Sequence, residues 1–455
     1  MENGQRHVLV IGAGLTGLTV AAGLKKRGAS VILLESNSRA GGAVESGREN
    51  GFLVEHGPNS MMVNDPEVHK FLRDSGLEKE IIRPLAKKRF IVRRGIPVAL
   101  PSGPLGAVTT PLFGLAGKFR VVAEPFVRRG LTDDESLADL VRRRLGPEML
   151  RYAIEPFVAG IFAGDPERLS SRYAFPKLWN LEKTHGSFIR GALRLRRSGP
   201  PQEMISFRKG MGALPAQLAE FLGDDIRFGA QVENVRRQTD GAWSVVWNDG
   251  GATREIRCGE LVCTVPAFAV PPLPWPEELR AQLEFLQDIE YPPVTVVALG
   301  FRRKDVGHAL DGFGMLVPSA EKRGILGTIF SSSLFPERAP EDCVLLTTFV
   351  GGARQPRIAA TGDDALVCDI CSDLRDLLRL SGDPVFQKII RWPRAIPQYN
   401  LGYGRYIAEM EKLETTLPGL HLAGNYRGGI AAGQCIRNGL HLAETLAAKT
   451  NTQTP

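Results

Sequence analysis

The chain has 455 residues, 43% of them hydrophobic and 24% charged, and a formal charge of +7. Its length suits two or three domains and its composition an ordinary buried core, which excludes a disordered or fibrous protein. The modest basic excess suits a basic enzyme, an acidic substrate or an anionic membrane surface. With no nucleic-acid module and few aromatics among the basic residues, no nucleic-acid partner is expected.

Residues 7–12 read as a buried parallel strand, 15–27 as a helix stopped by Gly28, and 30–35 as a second strand, which together make a βαβ unit. Residues 65–83 predict one helix, and 88–100 a hairpin turning at Arg93-Arg94-Gly95. From Pro101 to about Gly199, helical segments broken by Pro and Gly form a separate insertion. Strands return after Ser206, at 226–236 and 243–247, with a turn at Asn248-Asp249-Gly250-Gly251 and a buried run at 260–265. A helix is expected near 364–380, a short strand at 421–423 and a closing helix over 431–449.

No signal peptide is read in the polar first residues, and no apolar run reaches the ~18–20 residues needed to span a bilayer. The six cysteines form no disulfide framework, so a reducing compartment is expected. Cys368 and Cys371 have C-x-x-C spacing but sit in a helical run, and both are read as buried helix residues. None of the seven histidines falls in a triad or metal pattern; no metal site is expected, and His56 is read as structural.

The sharpest motif is Gly12-Ala13-Gly14-Leu15-Thr16-Gly17, between the first strand and helix. The first glycine allows the tight turn, the second lets backbone approach a pyrophosphate, and the third lets helix pack on strand. The helix N-terminus supplies free N–H groups to phosphate. Glu35 ends the second strand, where a carboxylate accepts ribose hydroxyls. A second glycine loop, Arg39-Ala40-Gly41-Gly42-Ala43, then suits an extended cofactor threading onward, which favours FAD over NAD. The mid-chain Gly210-Met211-Gly212-Ala213-Leu214-Pro215 lacks the third glycine and reads as a turn capping a helix, leaving one dinucleotide site.

Eight segments in order resemble the protoporphyrinogen oxidase family of the flavin amine oxidase superfamily: GGAVES (41–46), EHGPNS (55–60), KRFIVRRG (88–95), EPFVAGIFAGDPERLS (155–170), DGFGMLVPSAEKRG (311–324), TTFVGGARQP (347–356), RWPRAIPQYNLG (391–402) and LAGNYRGGIAAGQCIRNG (422–439). The resemblance implies an α/β fold. A Rossmann-type FAD-binding domain (1–60, 204–266 and 401–455) would join a mixed-sheet substrate domain (61–100 and 267–400) and a helical, membrane-facing insertion (101–203). It implies FAD contacts from Gly12, Ala13, Gly14, Leu15, Thr16, Gly17, Glu35, Ser36, Gly42, Ala43, Gly57, Pro58, Asn59 and Ser60. Val232 would meet the adenine end through its backbone, Trp392 would lie near the flavin, and Gly424, Asn425, Ile430, Ala431 and Ala432 would approach the isoalloxazine and ribityl. A helix starting near Ala431 would aim its positive end at charge developing on the reduced flavin.

The implied substrate is a porphyrinogen, with Arg89 on a propionate and Asn59 facing the pocket. Leu316, Ile329 and Phe349 would sandwich the ring, and Ala159 and Gly160 would leave room for it. The implied reaction is hydride transfer from a meso carbon to the flavin, with dioxygen as acceptor and hydrogen peroxide as product. No catalytic acid or base is expected, and positioning and water exclusion are left to the protein. Between 183 and 209, Lys183, Arg190, Arg194, Arg196, Arg197, Arg208 and Lys209 stand against Glu203 alone, a patch suited to anionic lipid. The expected location is therefore cytoplasmic and peripheral, on the inner face of the cell membrane; a homodimer is compatible with the sequence. The sister reading is the FAD-dependent coproporphyrinogen III oxidase, whose members tend to carry Asp at the Asn59 position and to lack the Arg89 equivalent. Amine oxidases commonly show GGR where this chain has Gly41-Gly42-Ala43. Carotenoid desaturases share the scaffold, and a non-catalytic flavoprotein is the last alternative.

Overall fold

The computed structural model describes residues 7–101, 103–195 and 203–451. A five-stranded, all-parallel sheet runs in the order Ile226–Arg227, Val31–Leu34, Val8–Ile11, Glu260–Cys263, Leu420–Leu422. Its central strand is apolar at every position because both faces are covered. Val8 and Val10 pack toward helices Leu15–Lys26 and Ala432–Asn451, while Leu9 and Ile11 pack toward helix Gly404–Thr416. The two helices on the first face touch through small residues: a β-carbon on Gly23 would lie 2.8 Å from the Ala443 side chain. A three-stranded antiparallel sheet, Gln231–Arg237, Trp243–Asn248 and Thr253–Cys258, flanks this layer, with the expected Asn-Asp-Gly-Gly turn between its last two strands.

The second large sheet has seven strands, in the order Phe386–Trp392, Val294–Arg302, Cys343–Gly351, Ile325–Phe330, Gly312–Leu316, Lys88–Arg93, Ile96–Ala99. Only the pair Gly312–Leu316 and Lys88–Arg93 is parallel. Helix Asp363–Leu378 covers one face, where Val297, Leu299, Phe301 and Leu346 meet Ile370, Leu374 and Leu377. On the opposite face Ala298, Leu345 and Phe386 pack with Phe52 and Val54, and Val294 and Leu326 with Ala159 and Ala163.

Three local expectations are corrected. The single helix over 65–83 is helix Pro66–Asp74, capped by the Asp65 carboxylate on the Glu67 N–H at 2.9 Å and ended at Gly76, whose φ is +77°. A 3₁₀ turn, Glu78–Glu80, and a short strand, Ile81–Ile82, complete the stretch. The single strand over 226–236 is two strands in different sheets, separated where Gly229 takes φ +66°. Of the C-x-x-C pair, Cys371 is buried but Cys368 faces solvent: about 60° apart around the helix, the two straddle the edge of its buried face.

The insertion is helical, including Pro104–Thr109, Leu115–Val122, Leu137–Leu145, Glu155–Phe162, Pro176–His185 and Phe188–Leu195. Its centre holds Arg144, fully buried between Glu124 at 2.9 Å and Glu182 at 2.7 Å. Arg143 also pairs with Glu182, at 2.8 Å, and Glu124 accepts the Ser187 hydroxyl and the Phe188 and Ile189 N–H groups. Burial would raise the Glu182 pKa, but the Arg143 and Arg144 hydrogen bonds outweigh it and bring it to about 2.

Leu105, Val108, Leu115, Phe119, Val122 and Phe126 are each more than two-thirds exposed, giving the insertion an apolar surface. Among the described residues, no helix is long and apolar enough to cross a membrane. Of the basic residues expected to form a patch over 183–209, two have acidic partners. Lys183 pairs with Asp133, and Arg208, beyond strand Glu203–Phe207, pairs with Glu337; folding brings in acids that a count along the sequence does not see. Arg196 and Arg197 lie outside the described residues, while Arg190 and Arg194 are exposed on helix Phe188–Leu195.

Arg144→Ala leaves buried Glu124 without a cationic partner among the described residues and Glu182 with Arg143 alone, and is expected to cost about 3–5 kcal/mol in urea unfolding. Glu182 titrates below its ordinary 4.5, so its contribution is complete above that pH and is lost as the pH falls toward 2. Stability measured across that window falls in the native protein, and the slope is shallower in Glu182→Gln.

Candidate active site

The N-terminal loop has the conformation its glycines allow. Gly12 sits at φ +101°, and a β-carbon on Gly17 would lie 2.0 Å from the Gly12 carbonyl oxygen. Around a β-carbon on Gly14 nothing lies within 4 Å, so the loop presents bare backbone to open space. Thr264 steadies the turn by donating to the Gly12 carbonyl at 2.7 Å. Glu35 is buried and aimed at this loop: the Ala13 N–H donates to one carboxylate oxygen at 2.8 Å, and the Asn37 backbone and side-chain amides donate to the other at 2.9 and 2.6 Å. Asn37 was not singled out from sequence; an amide two residues past the ribose carboxylate was its only signal. Ser36, Gly42 and Ala43 are exposed, and Leu15 and Thr16 are buried in the first turn of the helix.

The second glycine loop docks on the first. Gly41 donates to the Ala13 carbonyl at 2.8 Å and bridges Gly14. A third loop locks onto the second: a β-carbon on Gly57 would lie 2.1 Å from the Ala43 carbonyl oxygen, and His56 donates to the Glu45 carbonyl at 2.9 Å. The Trp392 indole N–H donates to the His56 carbonyl at 2.8 Å, and the His56 ring lies 3.1 Å from the Glu45 carboxylate. Pro58, Asn59 and Ser60 are half-buried; the Asn59 carbonyl accepts from Ser206, itself held by buried Arg338 at 2.9 Å. Glu55, beside them, also faces Arg338 at 3.3 Å and takes the Met211 N–H, so the Gly210–Gly212 turn anchors this joint. Burial pushes the Glu55 carboxyl upward, and Arg338 opposes the shift.

On the C-terminal side Gly424 sits at φ +154° with the Tyr426 ring 2.7 Å from where its β-carbon would be. Asn425 and Ile430 are half-buried, Ala431 is exposed, and Ala432 opens helix Ala432–Asn451, with the Gln434 side chain accepting the Ala431 N–H at 3.1 Å. Val232 lies in the three-stranded sheet opposite Trp247, two residues after Ala230, whose N–H donates to the Glu35 carbonyl at 2.9 Å.

Strand register places the proposed pocket residues on one face of the seven-stranded sheet. Leu316 pairs with Gly327 and with Ile91, Gly327 with Phe349, Phe349 with Val296, and Val294 with Trp392. With side chains alternating, Arg89, Leu316, Ile329, Phe349 and Trp392 project to the side away from helix Asp363–Leu378. Helix Glu155–Phe162 lies over this face. Ala159 packs with Phe349 and Val294, and a β-carbon on Gly160 would meet Leu316 at 2.8 Å. Ile329 packs with Phe313 and Ile82 in a separate cluster. Arg89 is exposed at the sheet margin, its guanidinium 5.3 Å from the Phe313 ring centre. It makes no ion pair among the described residues, whereas its neighbour Lys88 pairs with Asp311. A concavity of about 240 Å³ there is lined by Pro84, Ala86, Lys87, Arg89, Met204 and Phe313, which adds Lys87 as a second cation that sequence reasoning left out.

Residues 15–447 match the family model of flavin-containing amine oxidoreductases. The chain belongs to that family. Within it, the chain is 36% identical to protoporphyrinogen oxidase 2 of Arabidopsis thaliana, over 96% of this chain and 93% of that one. It is 27% identical to coproporphyrinogen III oxidase of Bacillus subtilis, over 96% and 97%. A solved structure titled a putative protoporphyrinogen oxidase from Exiguobacterium superposes with a TM-score of 0.81 at 24% identity, covering 98% of this chain and all of that one. UDP-galactopyranose mutase shares the fold, with a TM-score of 0.74 at 16% identity over 98% and 96%.

As a member of this flavin family the chain is an enzyme, an oxidoreductase with FAD as its cofactor. The residues present fit that group: bare backbone at Gly14, a carboxylate beside it at Glu35, and exposed backbone at Gly42 and Ala43. Gly17→Ala forces a carbon into the Gly12 carbonyl and is expected to yield protein with FAD well below one per chain, read from the flavin absorbance of the purified enzyme.

Proposed function

We propose that this flavoenzyme oxidises protoporphyrinogen IX to protoporphyrin IX in haem and porphyrin biosynthesis. The observation that carries the reading is Arg89, a guanidinium without a carboxylate partner among the described residues at the edge of an apolar sheet face, where a ring-borne propionate would complete the pair. Bound FAD supplies the acceptor for hydride from a meso carbon, with dioxygen taking the electrons and yielding hydrogen peroxide. The chain positions and encloses. Leu316, Phe349 and Ile329 offer apolar surface to the macrocycle, Ala159 and Gly160 keep the facing helix close without filling the space, and Trp392 and Asn59 bound the side toward the cofactor loops. Pyrrole nitrogens stabilise the cation left by hydride loss, so no protein base is invoked.

The cofactor would be held by Gly12–Gly17 through backbone N–H groups, by Glu35 and Ser36 at the ribose, by Gly42, Ala43 and Gly57–Ser60 along the dinucleotide, by Val232 at the adenine end, and by Gly424, Asn425 and Ile430–Ala432 near the isoalloxazine. On this reading the first sheet with its flanking sheet serves FAD, the seven-stranded sheet serves the substrate and the helical insertion meets a membrane surface. The second reading is coproporphyrinogen III oxidation, favoured by the bacterial relatives of that name; Asn59, where that branch tends to carry Asp, and Arg89 favour the first.

Assayed side by side, the purified enzyme is expected to turn over protoporphyrinogen IX faster than coproporphyrinogen III; the reverse order reassigns the substrate. Arg89→Ala is expected to weaken substrate binding by about 1.5–3 kcal/mol, the scale of a charge-assisted hydrogen bond, with FAD content unchanged. Unaltered steady-state constants remove Arg89 from the site. We further propose that the exposed apolar helices between 104 and 126 seat the enzyme on the cytoplasmic face of the membrane. Flotation with vesicles containing anionic lipid, and sedimentation without vesicles, is the expected result.

A further inference from the structure

Segment 392–403 runs between the two halves of the site and touches both. On the cofactor side, the Trp392 indole donates to the His56 carbonyl at 2.8 Å. The Tyr399 hydroxyl donates to the Asn425 carbonyl at 2.7 Å and accepts the Gly429 N–H at 3.0 Å. The Tyr403 hydroxyl donates to the Tyr426 carbonyl at 2.7 Å. On the substrate side, the Gln398 side-chain amide donates to the Phe162 carbonyl at 2.8 Å, at the end of the helix that carries Ala159 and Gly160. Tyr399 and Tyr403 stack at 4.3 Å and 25°, and Gln398, Tyr399 and Tyr403 are all buried.

The loop these tyrosines hold is also tied within itself by the Arg427 N–H on the Gly424 carbonyl at 3.1 Å and to the following helix by the Asn438 amide on the Arg427 carbonyl at 3.1 Å, but neither bond reaches residues 425 or 429. Gly424, Gly428 and Gly429 take φ values of +154°, +78° and +125°, conformations that glycine visits readily but does not enforce. A hydroxyl that both gives and takes a hydrogen bond closes the loop across residues 425 and 429 at a single point. A phenyl ring would fill the same space without that closure.

We propose that Tyr399 is a positioning residue for FAD, and that the segment 392–403 is a strap that makes the flavin seat and the substrate wall one mechanical unit. The strap takes the wall through Gln398 and the seat through Tyr399, which are adjacent in the chain, so displacement of either is felt by the other. This inference rests on the cofactor alone and stands whichever porphyrinogen is oxidised.

The test compares Tyr399→Phe, Tyr403→Phe, Gln398→Met and Tyr406→Phe as FAD-loaded enzymes, by amide hydrogen exchange and by the flavin midpoint potential. Tyr406 is the control, because its hydroxyl reaches the Asp288 carbonyl and Arg405 rather than the loop. Tyr399→Phe is expected to speed exchange at Gly429 by roughly fivefold or more, the scale of one lost hydrogen bond. It is also expected to shift the midpoint potential and to lower kcat while KM holds. Tyr403→Phe moves the same readouts in the same direction, and Tyr406→Phe moves neither. Gln398→Met speeds exchange at Ala163 and also at Gly429. Unchanged exchange and potential in Tyr399→Phe overturn the positioning role, as does a Tyr406→Phe that behaves identically. A Gln398→Met response confined to the wall helix overturns the coupling.

Discussion

Two glycine loops meet back to back, and the rest of the protein is arranged to keep their seam free of side chains. The Gly41 N–H on the Ala13 carbonyl joins backbone to backbone at the mouth of the parallel sheet, next to the Gly14 backbone that must stay bare. A carboxylate is needed beside that seam, and it is costly to bury unless every oxygen is satisfied. Ala13 and Asn37 supply the donors for Glu35. The third loop is then fixed by contact with the second, through Gly57 on Ala43, so that order at the first loop propagates for some forty residues along the chain.

The cofactor half was readable because its requirements are local. Glycine spacing, a strand before it and an acid after it lie within one βαβ unit, and their chemistry is fixed by backbone geometry. The substrate half was less readable. Arg89 ends a run of three cations, Lys87-Lys88-Arg89, and only the fold shows that Lys88 is spent on Asp311 while Arg89 has no ion pair among the described residues. That Leu316, Ile329 and Phe349 share a face follows from register across three strands, which no window of sequence contains. Positive-φ glycines account for the misjudged elements: Gly76 ended a helix early and Gly229 split a strand, where apolar pattern alone ran straight through. The charge balance of the basic run at 183–209 was hidden for the opposite reason, since the acidic partners Asp133 and Glu337 come from distant segments.

The helical insertion combines opposite solutions to the same problem of solvent. Its interior holds a cation between two carboxylates, each satisfied by further hydrogen bonds, while its outer helices leave Leu105, Leu115 and Phe119 in water. A buried ion network of this kind specifies one packing more than it adds stability. A unit that must hold its shape while presenting oily side chains gains from such specificity, since uniformly apolar helices would otherwise rearrange to hide them.

The parallel sheet also has a history written into its order. Its five strands begin at residues 8, 31, 226, 260 and 420, and the last is an edge that pairs with Glu260–Cys263. During synthesis the first two strands leave the ribosome with the crossover helix between them, yet their neighbour at 260 arrives hundreds of residues later and the closing helix last of all. For most of that interval an apolar strand edge has no partner, a state prone to mispairing. The same connectivity means that a chain truncated before Leu420 would lack both the sheet's fifth strand and the packing surface for Leu15–Lys26, so the nucleotide loop at residue 12 takes its final form only after helix Ala432–Asn451 has been made.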